Sequence, residues 1–301
     1  MPEYPDIVVY IEHLRRRLLG QPLDRVRMAS PFLLRTADPP IDELQGREAA
    51  GIERLGKRIV FDFGDRFFLV LHLMISGRLQ WTDPGGKIPP KRGLAALDFP
   101  NGSLLITEAS TQKRASLHVV RGSEALSDFD RGGLDVFKAG PEAFAAAVTA
   151  ENHTLKRALT DPTILSGIGN AYSDEILHRA GLSPVKLSAT LSEEEIGRLH
   201  EACRTVLTEW IDRLRGESGE RFPAKVTAFR PEMAVHGKYG EACPICGGTV
   251  QRIRYAANET DYCPACQTGG RLLADRSLSR LLKGDWPRTP EELEALKRRR
   301  D

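Results

Sequence analysis

The chain has 301 residues, with 43 Lys plus Arg against 41 Asp plus Glu, which gives a formal net charge of +2. Hydrophobic residues make up 41% of the chain and charged residues 28%, which excludes a disordered chain and indicates enough apolar surface for two or three packed modules. The small net charge argues against binding of nucleic acid by bulk positive charge, although it allows a local basic face.

Targeting and membrane signals are not visible. The longest apolar stretch, residues 67–75, is too short to span a bilayer. The N-terminal sequence lacks a basic segment followed by an apolar block, so no secretory signal is expected. Five cysteines are too few for a disulfide scaffold in a chain of this length. These features predict a cytoplasmic protein in a reducing environment, without membrane association.

The first predicted element is an amphipathic helix near the N-terminus. Pro5 suits its first turn and Gly20 suits its end. Arg15, Arg16 and Arg17 are predicted to lie on its solvated face. The apolar residues that recur at helical spacing are Ile7, Ile11, Leu14 and Leu18.

From about Val26 to Val120 the sequence predicts β-strands. Residues 58–63 and 67–73 are β-rich runs on either side of Gly64-Asp65, which is typical of a hairpin. The second run is apolar at both sets of alternate positions, so both of its faces are predicted to be covered. Short strands separated by turn signals indicate a sandwich or barrel. Further strands are predicted at 94–99, 104–107 and 117–120, with a loop rich in Gly, Pro and Lys at 84–93.

Beyond Gly132-Gly133 the pattern becomes helical, over residues 141–215. Ser192 followed by Glu195 is a capping box that opens a long helix to about Leu214. Cys203 shares one face of that helix with apolar residues, which predicts a core side chain rather than a reactive thiol. A polar linker is predicted at 216–233, and another helix start at Thr289-Pro290-Glu291-Glu292. The basic end, Lys297 to Arg300, is interpreted as a frayed terminus.

Four of the five cysteines form two pairs, Cys243-x2-Cys246 and Cys263-x2-Cys266, with 16 residues between the pairs. Two such knuckles supply four thiolates, which predicts one structural Zn²⁺ per chain and no open position for a catalytic water. An iron–sulfur cluster also takes four cysteines, but paired knuckles around a hairpin-length insert favour zinc. The insert predicts a β-hairpin that carries Arg252 and Arg254. Zinc ribbons of this kind bind nucleic acid or protein.

A Gly-Asn turn, Gly167-Ile168-Gly169-Asn170, precedes a predicted helix over 171–179. Asn170 is a suitable N-cap, and free N–H groups at a helix N-terminus can hold a phosphate. Helix–turn–helix connections also carry glycine for purely steric reasons. Lys156 upstream and the cysteine module downstream favour binding of a nucleic-acid backbone.

The N-terminus offers a candidate nucleophile. Removal of Met1 leaves Pro2 with a free secondary amine, and an α-amino group has a reference pKa of roughly 8, against about 10.4 for Lys. Such an amine can attack a sugar C1′ and form an iminium, and Glu3 beside it can act as general acid and base. Many chains begin with these three residues, so this interpretation depends on the other motifs.

The combination of these motifs resembles the Fpg/Nei (formamidopyrimidine-DNA glycosylase/endonuclease VIII) family of DNA-repair proteins. The resemblance covers about residues 1–270 in the same order. The matching segments are Met1-Pro2-Glu3-Tyr4-Pro5-Asp6, Leu55-Gly56-Lys57-Arg58, His72-Leu73-Met74-Ile75-Ser76-Gly77, Ser166-Gly167-Ile168-Gly169-Asn170-Ala171-Tyr172-Ser173-Asp174-Glu175, and the finger that ends Tyr262-Cys263-Pro264-Ala265-Cys266-Gln267.

The resemblance implies an α+β protein. Its expected parts are an N-terminal catalytic β-sandwich with flanking helices (1–135), a helix–two-turn–helix DNA-binding domain (136–230), a four-cysteine zinc finger (231–270) and a C-terminal extension (271–301). It implies a monomeric, bifunctional DNA glycosylase and AP lyase acting on damaged or abasic DNA. Such an enzyme flips an oxidised base out of the helix, removes it, and cuts the strand by β,δ-elimination.

The resemblance also implies roles for individual residues. Pro2 would be the Schiff-base nucleophile, Glu3 would protonate the sugar and shuttle protons, and Lys57 would contact the phosphate near the lesion and assist the chemistry. Because the charged members of the implied DNA-contact set are basic, DNA affinity is expected to fall as salt rises. The implied DNA contacts are His72, Met74, Ile75, Lys113, Arg114, Lys156, Asn170, Arg252 and Arg254.

Several positions depart from the pattern of the Fpg branch. Asp6 replaces a glutamate, Met74-Ile75 replaces Gly-Met, and Asn258 stands where a DNA-contacting arginine is usual. The wedge loop reads Gln112-Lys113-Arg114-Ala115-Ser116 and lacks an aromatic residue. These changes leave lesion specificity open. They also motivate a second hypothesis, a damaged-DNA-binding protein on the same scaffold without glycosylase activity on 8-oxoguanine.

Overall fold

The structure, a computed structural model, describes residues 1–255, 258–274 and 287–298. The chain divides into two compact units. The first unit consists of Met1–Gly133 and Thr208–Ala228, and the second of Leu134–Leu207 and Phe229–Asp301. The boundary between them falls within one long helix, and each unit is described here by itself. The four-part domain division inferred from the sequence stays a prediction.

Helix α1 (Tyr4–Leu18) is the N-terminal helix that the sequence predicts, and its apolar stripe is buried in the core of the first unit. Two of its three arginines are more than solvated surface groups. Arg15 Nε donates to the Ile52 carbonyl at 2.7 Å, and Arg17 Nη2 donates to the Glu220 carbonyl at 2.8 Å. Arg15 and Arg17 thus lie on the predicted polar face and stay half-exposed, but they also bind carbonyl groups of other segments.

Two four-stranded antiparallel sheets face each other across one core in the first unit. Leu69 and Leu71 enter this core from one sheet, and Leu104 and Ile106 enter it from the other, which confirms the predicted β-sandwich. One sheet has the order β1 (Arg25–Met28), β6 (Gly93–Phe99), β7 (Gly102–Glu108) and β5 (Gly77–Thr82). The other has the order β2 (Gly51–Leu55), β3 (Arg58–Asp62), β4 (Phe67–His72) and β8 (Ser116–Arg121).

Strands β3 and β4 form the predicted hairpin around Gly64-Asp65. Both turn residues have positive φ, +68° and +46°, a conformation that glycine and aspartate tolerate better than most residues. On the side of β4 away from the sandwich core, Val70 packs with Val60 and Val120 in a second apolar cluster. The prediction that both faces of β4 are covered is confirmed.

Part of the predicted polar linker belongs to the first unit. The Phe222 ring stacks on Tyr10 with the centroids 5.6 Å apart, and Val226 is buried in the sandwich core. Arg78 Nε donates to the Val226 carbonyl at 2.5 Å. This stretch is therefore packed and not a solvated connection, because Phe222 and Val226 are large enough to gain free energy by burial.

The described helical part of the second unit begins with α2 (Pro141–Thr149), α3 (Leu155–Thr160) and α4 (Asn170–Ala180). Helix α5 (Glu193–Ser218) follows and crosses the unit boundary. Its capping box is confirmed, since Ser192 N–H donates to Glu195 Oε2 at 2.9 Å and Glu195 N–H donates to Ser192 Oγ at 3.2 Å. Cys203 is completely buried among its apolar neighbours, as predicted.

The cysteine module contains the predicted hairpin, formed by β9 (Gln251–Tyr255) and β10 (Asn258–Tyr262), followed by the short helix α6 (Pro264–Thr268). Helix α7 (Pro290–Arg298) begins where the sequence predicts, with Thr289 Oγ1 accepting the Glu292 N–H at 3.3 Å. The last residues of the predicted basic end, 299 and 300, lie outside the described residues. Among the helices that the structure describes, none is both long enough and apolar enough to cross a membrane.

Candidate functional site

The N-terminal residues are buried at the start of α1. Pro2 and Glu3 are buried, and Met1 is half-buried. Glu3 is the N-cap of the helix: its side chain accepts the Asp6 N–H, and Asp6 Oδ2 accepts the Glu3 N–H at 3.0 Å. This reciprocal capping fixes the Glu3 carboxylate next to Pro2. The two residues predicted to carry the chemistry are therefore adjacent and held in place.

Burial and charges of both signs act on the N-terminal amine. Burial lowers the pKa of the Met1 amino group; Arg78 and Lys57 act in the same direction, while Glu3 and Asp6 oppose them. This amine belongs to Met1, and Pro2 carries a free amine in this environment only once Met1 is removed. The structure thus places Lys57 close enough to the N-terminus to influence its charge, while its contact with a phosphate near the lesion stays a prediction. Arg78 has no signal in the sequence that would have marked it.

His72 lies at the end of β4, opposite Arg58 in the β3–β4 ladder. Burial lowers the pKa of His72 to about 4, and the charges of Arg58, Lys57 and His118 act in the same direction. Burial also lowers the pKa of Arg58 and of His118. The open end of the β3–β4 hairpin, at Arg58 and His72, is therefore electropositive. At neutral pH the imidazole of His72 is uncharged and can donate an N–H to an anion.

We expect His72 to titrate near pH 4 in the free protein and not near its ordinary value of 6.5. Because the folded state lowers this pKa, the contribution of His72 to stability is present above about pH 6.5 and is lost as the pH falls towards 4. An NMR titration of the imidazole checks this value. Lys57→Gln removes a positive charge and should raise the midpoint, whereas a wild-type midpoint near 6.5 contradicts the expectation.

Two loops meet at Glu108, the last residue of β7. Its side chain is 1% exposed. Oε1 accepts the Ser76 hydroxyl at 3.2 Å, and Oε2 accepts the N–H groups of Arg114 and Ala115 at 2.9 and 3.1 Å. One buried carboxylate therefore ties the loop after β4 to the loop after β7. Glu108 has no local sequence pattern that would single it out, because Ser76, Arg114 and Ala115 reach it only in the folded chain.

The residues predicted to contact DNA in these loops lie at or near the surface. Met74 has a positive φ of +52°, which turns the chain sharply, and Ile75 beside it is 57% exposed. Lys113 is half-buried, and its ammonium donates to the Glu108 carbonyl. Arg114 is exposed and donates to Gln112 Oε1 at 2.6 Å. An exposed apolar side chain and two basic side chains therefore occupy loops joined by Glu108.

Glu108→Ala is expected to lower the free energy of unfolding by about 2–4 kcal/mol, because two backbone N–H groups lose their buried acceptor. Glu108→Gln keeps one acceptor oxygen and should cost less. Urea denaturation of both variants measures the difference, and limited proteolysis should locate new cleavage in residues 109–115. Equal stability of the alanine variant and the wild type would contradict the proposed tie.

The Gly-Asn turn brings Lys156 and Asn170 together. Lys156 Nζ donates to the Asn170 carbonyl at 2.7 Å and to Asp174 Oδ1 at 2.6 Å, and the lysine is largely buried. The prediction of Asn170 as N-cap is wrong. Gly169 takes that position in extended backbone, Asn170 is the first residue of α4, and no side chain caps the helix. Glycine can fill the N-cap position with little loss, so the helix begins one residue earlier.

The two arginines of the finger hairpin differ in their surroundings. Arg252 pairs with Asp261 (2.8 Å) and Glu259 (2.9 Å), and its guanidinium lies 5.4 Å from the centre of the Tyr239 ring. Arg254 is exposed and contacts Glu259 at 3.0 Å. The side chain of Asn258 lies outside the described residues. Both arginines stay predicted DNA contacts, with Arg252 held by internal partners and Arg254 at the surface.

The four-cysteine cluster fits a zinc ion. The sulfur atoms of Cys243, Cys246, Cys263 and Cys266 lie within 4.8 Å of one another. The separations are 3.4 Å between Cys246 and Cys263 and 3.9 Å between Cys243 and Cys266. Tetrahedral Zn–S bonds of about 2.3 Å place sulfur atoms roughly 3.8 Å apart, so the donor set suits one structural Zn²⁺. With four protein ligands, such a zinc supports the finger fold.

Three protein-family models match the chain. The formamidopyrimidine-DNA glycosylase N-terminal domain matches residues 1–118, and the formamidopyrimidine-DNA glycosylase H2TH domain matches 136–221. The zinc finger found in FPG and IleRS matches 240–269, which agrees with the geometry of the four cysteines. The structural zinc predicted from the cysteine spacing is confirmed by this match and by the cluster.

Relatives of the chain agree with the family models. A formamidopyrimidine-DNA glycosylase from Desulfitobacterium hafniense is 30% identical, with 89% of this chain and all of that protein covered. An uncharacterized formamidopyrimidine-DNA glycosylase-like protein from Mycobacterium tuberculosis is 39% identical over 151 residues, which cover 50% of this chain and 94% of that protein.

Solved structures show the same architecture. MutM in complex with DNA that contains carbocyclic 8-oxo-G has a TM-score of 0.79 and 27% identity, covering 89% of this chain and 100% of that one. The Lactococcus lactis Fpg in complex with abasic-site DNA has a TM-score of 0.78 and 26% identity, covering 88% and 99%. The chain therefore belongs to the Fpg/Nei family of DNA glycosylases and AP lyases.

Proposed function

We propose that this protein is a bifunctional DNA glycosylase and AP lyase that uses Pro2 as a Schiff-base nucleophile. The observation that carries the proposal is the burial of the N-terminus, where burial lowers the pKa of the Met1 amino group and the cap of α1 holds the Glu3 side chain beside Pro2. The relatives in solved complexes hold 8-oxo-G-containing and abasic-site DNA, which supports damaged DNA as the substrate class. The proposed place of action is the cytoplasm.

The proposed reaction starts with attack of the Pro2 nitrogen on C1′ of the damaged nucleotide. The bond between C1′ and the base breaks, the base leaves with a proton, and an iminium joins Pro2 to the opened sugar. Glu3 is proposed to protonate the sugar oxygen and to carry protons between steps. Loss of a C2′ proton then expels the 3′ phosphate, and a second elimination expels the 5′ phosphate. Water finally releases Pro2.

The DNA contacts are proposed to come from groups in both units. Lys57 and the uncharged His72 lie in the electropositive end of the β3–β4 hairpin and suit a phosphate near the lesion. Ile75, exposed at the tip of its loop, suits the gap that a flipped nucleotide leaves in the helix. Lys156 at the Gly-Asn turn suits a flanking phosphate.

Borohydride trapping tests the proposal directly. Wild-type protein with an intact N-terminal Pro2, confirmed by mass spectrometry, should form a covalent adduct with abasic-site duplex DNA and should nick it. No adduct with such protein would overturn the lyase function. Binding without nicking would instead support the non-catalytic damaged-DNA binder. Duplexes that each carry one oxidised base then identify which lesion is excised.

Glu3→Gln should separate base removal from strand cutting. Glutamine keeps an oxygen that can accept the Asp6 N–H, so the cap of α1 is retained, but it cannot transfer a proton. We expect base excision to fall by about a hundredfold or more, and cutting at a preformed abasic site to fall much less. Single-turnover rates on a lesion duplex and on an abasic duplex measure the two effects. Equal losses on both substrates would contradict the role of Glu3.

A further inference from the structure

A chain of buried polar groups in the second unit ends at Lys156. The Lys156 ammonium donates to Asp174 Oδ1 at 2.6 Å, and the other oxygen of that carboxylate lies 2.8 Å from His236 Nδ1. The Asp174 side chain is completely buried, and the other two side chains are nearly so. The three residues are far apart in the sequence, on α3, on α4 and in the segment that leads into the finger.

The segment that carries His236 is itself held by carboxylates. Glu175, next to Asp174 on α4, accepts the N–H groups of residues 234, 235 and 236 at 2.8–2.9 Å. Asp261 accepts the Gly237 N–H at 2.7 Å. The His236 ring stacks on Phe229, with centroids 5.6 Å apart. The position of the imidazole is therefore fixed by the backbone and by the ring stack as well as by Asp174.

A metal ion is a poor explanation of this cluster. Asp174, His236 and Asp261 are close enough together to share a cation. Each carboxylate, however, already has a positive partner: Lys156 contacts Asp174, and Arg252 Nε contacts Asp261 at 2.8 Å. A divalent ion would have to displace or be repelled by both of these charges. The better explanation is that the cluster orients the ammonium group of Lys156.

Within the part of the chain that the structure describes, the Lys156 ammonium group has two hydrogen-bond acceptors. An ammonium group has three N–H bonds. One points to Asp174 Oδ1 and a second to the Asn170 carbonyl at 2.7 Å, at the first turn of α4. Two fixed acceptors hold a flexible lysine in one orientation, which removes much of the entropy cost of ordering it on a ligand. The third N–H is then available to an anion at the Gly-Asn turn.

We propose that Asp174 and His236 are positioning residues that hold Lys156 ready for a DNA phosphate. The inference rests on the proposed DNA-binding function. Asp174 is then an acid that strengthens the binding of a polyanion. Its charge opposes the DNA, but the orientation it imposes on Lys156 outweighs that repulsion.

The sign of the effect of Asp174→Asn tests the proposal. The substitution removes a negative charge, so electrostatics alone predicts tighter binding to DNA. Positioning predicts weaker binding, by about tenfold for a duplex with a tetrahydrofuran abasic-site analogue at moderate salt. The slope of log affinity against log salt should also fall by about one phosphate contact. Glu201→Gln, an exposed site on α5 with the same charge change, is the matched control and should not weaken binding.

A double-mutant cycle separates positioning from general destabilisation. In a Lys156→Met background, Asp174→Asn should cost no further affinity, because the group that it positions is gone. If Asp174→Asn folds poorly, His236→Phe keeps the ring stack on Phe229 and loses only the contact to Asp174; it should weaken binding by about threefold. Thermal unfolding and zinc content establish that each variant is folded.

The outcomes are distinct. A loss of affinity on removing Asp174 or His236 that disappears in the Lys156→Met background supports the proposal. Unchanged or tighter binding by Asp174→Asn, or a loss of the same size in both backgrounds, overturns it. Failure of the wild-type protein to bind the abasic duplex contradicts the proposed function itself, and so is distinguishable from failure of the positioning role.

Discussion

Blocking the amine of Pro2 is expected to abolish the covalent chemistry of this protein. In a chain extended by residues joined to Pro2 through a peptide bond, the nitrogen becomes an amide whose lone pair is delocalised, so it cannot attack the sugar. We expect formation of the borohydride-trapped adduct on abasic DNA to fall by at least about a thousandfold, as when other enzymes lose their nucleophile. Gel quantification of the adduct at fixed time measures the loss.

The control for this experiment is the same extension placed at the C-terminus, which should leave trapping unchanged. The blocked protein should still bind the abasic duplex, because the proposed phosphate contacts at Lys57, His72 and Lys156 do not depend on the amine. An N-terminally blocked protein that still formed the adduct would show that a lysine, and not Pro2, is the nucleophile. Peptide mapping of the adduct would then identify that lysine.

Cys263→Ala is expected to remove the zinc and unfold the finger. The apolar cluster of the finger is small: Val235 and Val250 pack there only with the cysteines themselves. A core of this size cannot stabilise a fold alone, and zinc ligation contributes roughly 10 kcal/mol or more in finger peptides. We expect zinc content to fall from one per chain to none and DNA binding to be lost, while the first unit keeps its own core.

Cys203→Ala is the matched control, because Cys203 is completely buried on α5 and is not part of the four-cysteine cluster. This variant should keep one zinc per chain and lose only about 1 kcal/mol of stability through a small cavity. Metal analysis and DNA-binding measurements on the two variants, made side by side, test whether Cys263 and not Cys203 is a zinc ligand. Loss of zinc from Cys203→Ala, or its retention by Cys263→Ala, would contradict the assignment of the ligands.

The features that the sequence predicts well are those encoded over a few neighbouring residues. Helix α1 follows from apolar spacing, the β3–β4 hairpin from Gly64-Asp65, and the start of α5 from the Ser192–Glu195 capping box. The zinc cluster follows from the spacing of four cysteines. In each of these cases the partners are close in sequence, or the residue type has few other uses, so the pattern determines the structure.

The features that the sequence does not reveal depend on partners far along the chain. Glu108 meets Ser76 from 32 residues away, and Asp174 meets His236 from 62 residues away. A buried carboxylate has no local sequence signature, since the groups that donate to it are brought together by the fold. The N-cap of α4 shows that prediction from sequence is also limited at short range. Gly169 and Asn170 both suit the N-cap position, and only the backbone conformation distinguishes them.

The packing of Phe222 and Val226 affects how the first unit can fold during synthesis of the chain. The first unit is built from two pieces of chain, separated by the 74 residues of Leu134–Leu207. During synthesis the sandwich emerges first, but Tyr10 and the core beside it stay uncovered until residues 222–226 leave the ribosome. A gene fragment that stops at Gly133 would therefore encode an incomplete core with an apolar face open to water. The smallest fragment that can fold as the native first unit has to extend to Ala228.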